Sequence, residues 1–271
     1  MNSKGSASLG SGIPAGRKLG SISIVFPAFN EQDNVEPAVR AARQALGNYA
    51  EKIEIIVVND GSRDGTRAAL DAIAAQDSSI TAVHHPVNLG YGAALRSGFA
   101  VARSEYVFFT DTDLQFDVEE IGLLIPWIGE FDIVVGYRKK RADPMHRLVN
   151  AWTWNMLIRL LLGIKVKDID CAFKLFRRRV FDTIQLNSVG ALINTEIFAQ
   201  ARKKGFTVKE VPVSHFPRLS GAPTGANLGV ILRAFRELLS MYGRLRQVQR
   251  PPVAISPGSD PKLGSQAPET R

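Results

Sequence analysis

Cysteine is nearly absent from this 271-residue chain: Cys171 stands alone, which excludes an internal disulfide framework and fits a reducing compartment. A lone thiol of this kind is expected to be a small buried apolar side chain. Long apolar runs are missing as well. The nearest candidate, Leu148 to Ile164, is interrupted by Asn150, Asn155 and Arg159, short of the ~18 uninterrupted apolar residues of a membrane span. Residues 1–19 are rich in Gly and Ser with three basic residues and lack the apolar core of a secretory leader, so a flexible tail is expected. Residues 251–271, rich in Pro, Gly and Ser, are expected to be disordered. The chain also has no Gly-rich, Lys-bearing phosphate loop, which argues against a nucleotidyltransferase.

What remains is a folding segment over 20–250, with enough of the chain's 45% hydrophobic residues for one sizeable core. The formal net charge of +8 and pI near 9.7 point to an anionic partner: a nucleotide, a nucleic acid or an acidic membrane surface.

Apolar runs alternate with helical spacing. Ser21–Phe26 reads as a strand, and apolar positions Val35, Val39, Ala42 and Leu46 follow at helical spacing. Ile53–Val58 is a buried strand, Asn59–Ser62 a loop and Thr66–Ala75 a helix. Ile80–His84 is a third strand, leading through the turn Asn88–Gly92 to a small-residue helix at Ala93–Ala102. Tyr106–Phe109 is a fourth, and Asp117 with Glu120 has the spacing of a capping box for a helix carrying Val118, Ile121, Leu124 and Ile128. Such alternation predicts an α/β fold with a doubly wound, mostly parallel sheet.

Chemistry is expected where that fourth strand ends. Asp111 and Asp113 fall just past it, with Gln115 following as a neutral oxygen donor. Ligands of open α/β sheets bind outside the carboxyl ends of the strands, where two carboxylates can clamp a divalent ion that bridges a diphosphate. A lone D-x-D reads equally well as a solvated acidic turn, and Asp60, also at a strand's carboxyl end, as an Asx-turn residue.

Four motifs settle the context. FPAFNE (26–31), VVNDGSRDGT (57–66), NLGYGAALRSGF (88–99) and DTDLQF (111–116) follow one another in the order and spacing of the nucleotide-sugar glycosyltransferases of family 2, with the GT-A fold, and the chain resembles that family. GYR (136–138), KDIDCAFKLFRR (167–178) and VPVSHFPRLSG (211–221) resemble its dolichol-phosphate mannose synthase and polyprenyl-phosphate glycosyltransferase branch. That branch often has Ser-Gly where this chain has Cys171 and Ala172 ahead of Phe173.

The resemblance implies roles residue by residue. Pro27, Phe29 and Glu31 would surround the nucleoside and Asp60 would meet the base. Asp111, Asp113 and Gln115 would hold Mg²⁺ or Mn²⁺ on the diphosphate of a donor such as GDP-mannose or UDP-glucose. Arg138 and Arg147 would meet the phosphate of a polyprenyl phosphate acceptor. Asp168, favoured over Asp170, would act as a general base toward a hydroxyl acceptor or orient an arginine or the donor sugar. His215 would be a diphosphate contact or a satisfied loop histidine. The expected protein is an inverting, metal-dependent hexosyltransferase, peripheral on the cytosolic membrane face, with a homo-oligomer among its candidate partners and no nucleic-acid partner. A saccharide hydroxyl acceptor and a non-catalytic nucleotide-binding module are the alternatives. A C-terminal helical portion would serve the acceptor side. The stripes at 148–164 (Leu148, Trp152, Trp154, Leu157, Leu160, Leu161) and 228–245 (from Leu228 and Ile231 to Leu238 and Leu245) suit interfacial helices, an oligomer contact or ordinary core.

Overall fold

A computed structural model of the chain describes residues 18–139, 156, 158, 161–217, 237–238 and 241–243. Most of both expected tails, Arg147 and most of the two amphipathic stretches lie outside the described residues.

Strand β1 (Leu19–Ala28) begins one residue inside the segment expected to be tail, where the Leu19 amide donates to the Tyr49 carbonyl. Helix α1 (Val35–Gly47) then buries Val35, Ala38, Val39, Ala42, Ala45 and Leu46, a stripe at three- and four-residue spacing. Strand β2 (Ala50–Asn59), helix α2 (Thr66–Gln76), strand β3 (Ile80–His84) and helix α3 (Tyr91–Val101) follow. Strand β4 (Tyr106–Thr110) is buried along its whole length, as its unbroken apolar run requires of a strand covered on both faces. Past β5 (Ile133–Arg138), the chain supplies β6 (Phe173–Arg177), the short α5 (Arg179–Thr183), α6 (Ile193–Lys204) and β7 (Val208–Val213).

The seven strands form one sheet in the order β3-β2-β1-β4-β6-β5-β7. All neighbours pair in parallel except β6, which is antiparallel to both β4 and β5. The mostly parallel α/β sheet expected from the strand–helix alternation is therefore present. Strand order reverses between β1 and β4, the point at which open α/β sheets bind ligands outside the carboxyl ends of their strands. Helix α3 lies close against β1 and β2 because Gly98 has no Cβ; one built there would sit 2.3 Å from Val25 Cγ1.

The expected capping box is not formed. The Asp117 side chain accepts from the Glu119 amide at 3.0 Å, while Glu120 Oε2 accepts from the Ser214 amide at 2.6 Å instead of reaching back to Asp117. The helix it was to start is split into a 3₁₀ segment, Val118–Leu123, and a single α-helical turn, α4 (Ile125–Ile128), which carries Pro126 near its start. Proline has no amide to continue the preceding ladder.

Candidate functional site

The carboxyl ends of β1 and β4 lead into the loops that carry the first and fourth motifs. The Thr112 hydroxyl donates to the Pro27 carbonyl at 2.7 Å, tying the two loops together. In the first loop, Asn30 takes a left-handed φ of 56°, its amide donating to Ser62 Oγ at 2.9 Å and its Oδ1 accepting from the Arg63 amide at 2.8 Å. Glu31 donates its amide to Thr66 Oγ1 at 2.8 Å and accepts from Asn34 Nδ2. Pro27, Phe29 and Glu31 are all half-buried at this edge. The second motif is thereby stitched onto the first before any ligand is considered.

Asp60 is 3% exposed and fully engaged in holding the third loop. Its Oδ1 accepts from the Leu89 amide (2.9 Å) and lies 2.6 Å from His85 Nδ1; its Oδ2 accepts from the Gly90 amide (2.8 Å). His85 Nε2 in turn meets Ser97 Oγ at 2.8 Å. Gly61 lets the loop come this close: its φ is +67°, and a Cβ there would fall 2.2 Å from the Val87 carbonyl carbon. Within the fold, the partners of Asp60 are the backbone and imidazole of residues 85–90.

At Asp113 the D-T-D loop is not a solvated acidic turn: the residue is 8% exposed, with Oδ1 accepting from the Gln115 amide at 3.2 Å. Between them Leu114 is held at φ 57°, a strained conformation for a side chain of this kind, costing about 1–3 kcal/mol. Such strain persists where surroundings over-determine the backbone, and here they do: Gln115 Nε2 donates to the Phe216 carbonyl (3.1 Å) and the Phe216 amide to the Gln115 carbonyl (2.8 Å). His215 stands edge-on to Phe116, its ring centre 5.0 Å away. The segment after β7 is thus clipped over the carboxylate loop.

Asp111 is half-buried and its Oδ1 accepts from the Tyr91 hydroxyl at 3.1 Å. Burial and the neighbouring Asp111 carboxylate push the Tyr91 phenol well above its ordinary range, so it stays a donor. Among the described residues, no three His, Cys, Asp or Glu side chains gather as a metal cage. Two carboxylates and an amide nevertheless form an oxygen-only donor set, which suits a hard cation that takes its remaining ligands from phosphate and water. Mg²⁺ or Mn²⁺ fits Asp111, Asp113 and Gln115 on those grounds.

The structure joins two residues that the sequence kept thirty positions apart. Arg138, at the end of β5, pairs fork to fork with Asp168: Nε to Oδ2 at 2.7 Å and Nη2 to Oδ1 at 2.8 Å. Their side chains are 15% and 9% exposed. Burial alone would lower the guanidinium's pKa, but Asp168 outweighs it and the net shift is upward. Both Asp168 oxygens accept from Arg138, the geometry of a carboxylate that orients an arginine. Cys171 is buried, as expected, and burial pushes its thiol up to about 12.

Three residues near the site escaped the sequence reading: Tyr91, Asn194 and Lys174. Lys174 had a visible signal, a cation inside the otherwise apolar Phe173–Phe176 run.

The fold is that of GT-A glycosyltransferases. The family model for glycosyl transferase family 2 matches residues 23–185, and the chain belongs to that family. The glycosyltransferase AglD of Haloferax volcanii is 34% identical over 73% of this chain and 33% of its own length. The dodecaprenyl-phosphate galacturonate synthase of Rhizobium johnstonii is 29% identical over 85% of this chain and 69% of its own. This chain therefore spans a third of one curated relative and about two thirds of the other. Glucosyl-3-phosphoglycerate synthase from Mycobacterium tuberculosis, solved with Mn²⁺ and UDP-glucose, superposes with a TM-score of 0.64 at 20% identity, covering 83% of this chain and 79% of that one.

Proposed function

We propose that this protein transfers a hexose from a nucleotide sugar, UDP- or GDP-linked, to a polyprenyl phosphate, with inversion at the anomeric carbon. The observation that carries the reading is the Arg138–Asp168 pair. An arginine oriented by a carboxylate at the carboxyl edge of the sheet is built to meet phosphate oxygens, and with both oxygens on Arg138, Asp168 is a poor candidate for a general base. A phosphate acceptor needs no such base, because its oxygen is already anionic near neutral pH. That oxygen forms the new bond to the anomeric carbon as the bond to the nucleoside diphosphate breaks, and no proton has to move.

In this reading Pro27, Phe29 and Glu31 border the nucleoside, and Asp60 shapes its pocket by holding the loop at 85–90. Asp111, Asp113 and Gln115 hold Mg²⁺ or Mn²⁺, which supplies Lewis-acid neutralisation of the charge developing on the departing diphosphate. Arg138 and Arg147 position the acceptor phosphate. Relatives whose names specify transfer to dodecaprenyl and undecaprenyl phosphate support the lipid acceptor, and the UDP-glucose complex of the structural neighbour supports the donor class.

A lipid acceptor implies docking on a membrane surface. Among the described residues no helix is long and apolar enough to cross a membrane. Net charge of +8 and the amphipathic stretches support surface docking, although Leu238 is buried in the protein core and Leu161 is partly buried against it. Matched acceptors test the reading: polyprenyl phosphate and the same polyprenol without its phosphate, each with labelled nucleotide hexoses. Label on the phosphorylated lipid alone is the expected result; equal labelling of the free alcohol or of a saccharide would overturn it.

A further inference from the structure

A cavity of about 550 Å³ lies between α3 and the chain that leads from α5 toward α6, and none of Asp111, Asp113, Arg138 and Asp168 lines it. On the α3 side Ala93, Arg96, Ser97 and Ala100 fall at three- and four-residue spacing and share one face. Two alanines and a serine there leave open the space that larger side chains would fill. The opposite wall is Phe181, Ile184, Leu186 and Val189.

These walls are held by the fold itself. Phe181 stacks on Phe99 of α3 with ring centres 4.1 Å apart, and the Val189 carbonyl accepts from the Gly92 and Ala93 amides at 2.9 and 3.2 Å. Glu196 Oε2 fixes the segment in between, accepting from the Asn187 and Ser188 amides at 2.9 and 2.7 Å. A preformed cavity spares a ligand the cost of ordering its site. Small-molecule sites are typically concave, of about 300–1,000 Å³, and apolar apart from a few polar groups that fix orientation.

Here the orienting group is Arg96, the one charged residue among the described residues that line the cavity. Its Nη1 donates to the Asn187 carbonyl at 3.3 Å, and among the described residues it forms no ion pair. A guanidinium carries five N–H donors in a planar fork, so most of those on Arg96 are left for an anion. The Ser97 hydroxyl is already engaged by His85 Nε2 at 2.8 Å. Leu89 and Val189, also lining the cavity, are 47% and 45% exposed, apolar surface that a hydrocarbon tail would cover.

We propose that this cavity binds an amphipathic anion, its carboxylate or phosphate head on Arg96 and its apolar tail along Phe181, Ile184 and Leu186. The site is separate from the acceptor-phosphate position assigned to Arg138.

The test is isothermal titration calorimetry of the full chain with decanoate, decyl phosphate, decanol and inorganic phosphate, the amphiphiles kept below their micelle thresholds. The proteins are the wild type, Arg96→Met, Ala100→Trp and Arg138→Met. Saturable binding of decanoate, decyl phosphate or both is expected, and whichever binds identifies the head group. Decanol and inorganic phosphate should bind roughly 10- to 150-fold more weakly, and so should the amphiphile to Arg96→Met, since each lacks a charged hydrogen-bond partner or the tail. Ala100 is exposed, so Ala100→Trp fills the cavity without entering the core and should abolish saturable binding. Arg138→Met should bind as the wild type does. No saturable binding of either amphiphile, equal binding of decanol or of phosphate alone, or binding unchanged in Arg96→Met and Ala100→Trp would overturn the proposal. Binding lost in Arg138→Met and retained in Arg96→Met would move the anion to the acceptor position, overturning this site and leaving the glycosyltransferase reading standing.

Discussion

Asp168→Asn is the substitution that most sharply separates acceptor handling from donor handling. It preserves shape but turns one of the two oxygens that accept from Arg138 into an NH₂ and removes the charge of the paired carboxylate, leaving Asp170 as a further acidic neighbour. The pair is bidentate at 2.7 and 2.8 Å and only 15% and 9% exposed, so solvent screens it little. One charge-assisted hydrogen bond is worth about 1.5–3 kcal/mol. If the loss falls on the acceptor phosphate, then at 1.4 kcal/mol per factor of ten the acceptor kcat/KM should fall roughly 10- to 150-fold. The assay is initial-rate transfer over a range of polyprenyl phosphate at saturating nucleotide sugar, with nucleotide affinity measured separately by calorimetry. Arg138→Lys, which keeps the charge but loses the fork, should fall in between. Nucleotide affinity dropping as far as acceptor turnover, or turnover unaffected, would refute the reasoning.

Asp113→Ala should abolish transfer while the fold survives, since the bond its carboxylate accepts from the Gln115 amide is worth about 1.5–3 kcal/mol; full activity in excess chelator would contradict its role. Asp132 reports on stability instead. Burial pushes its carboxyl up, but bonds from the Thr207 amide, Arg179 and the Thr207 hydroxyl prevail and hold it below the usual aspartate range. A depressed pKa contributes stability above the unfolded value and loses it as pH falls through the folded one. Asp132→Asn should therefore lower the melting temperature at neutral pH and flatten the decline below about pH 4, near the unfolded aspartate value; parallel curves for the two proteins would refute this. Vesicle co-sedimentation should show binding to anionic lipid that weakens with salt, at about 1 kcal/mol per basic residue near the surface; no binding at low salt would remove the docking proposal.

The parallel half of the sheet was legible because buried central strands need unbroken apolar runs: Ile53–Val58 and Tyr106–Phe109 have no competing interpretation, and α1 shows its inward stripe directly. The reversal of β6 was not, because Phe173–Arg177 has the same buried pattern in either direction. Asp117 and Glu120 had capping-box spacing, but Pro126 shortened the helix and Ser214 took Glu120. The site was half legible. The motifs singled out Asp60, Asp111, Asp113, Arg138 and Asp168 as candidates, but pairings made through the fold, Arg138 with Asp168 and Asp60 with the 85–90 loop, have no local signature. Lys174 announced itself by sitting in an apolar strand, and only the packing of α6 and of the Phe109 ring around it reveals what it faces.

The central claim, hexose transfer to a lipid phosphate, is tested most directly by mass spectrometry of the lipid. The protein is incubated with Mn²⁺, polyprenyl phosphate and each of a panel of UDP- and GDP-hexoses. The account predicts that the polyprenyl phosphate gains the mass of one hexosyl group, with one nucleoside diphosphate released per lipid converted. An unchanged lipid, with the sugar recovered on a soluble saccharide or as free hexose, would contradict it.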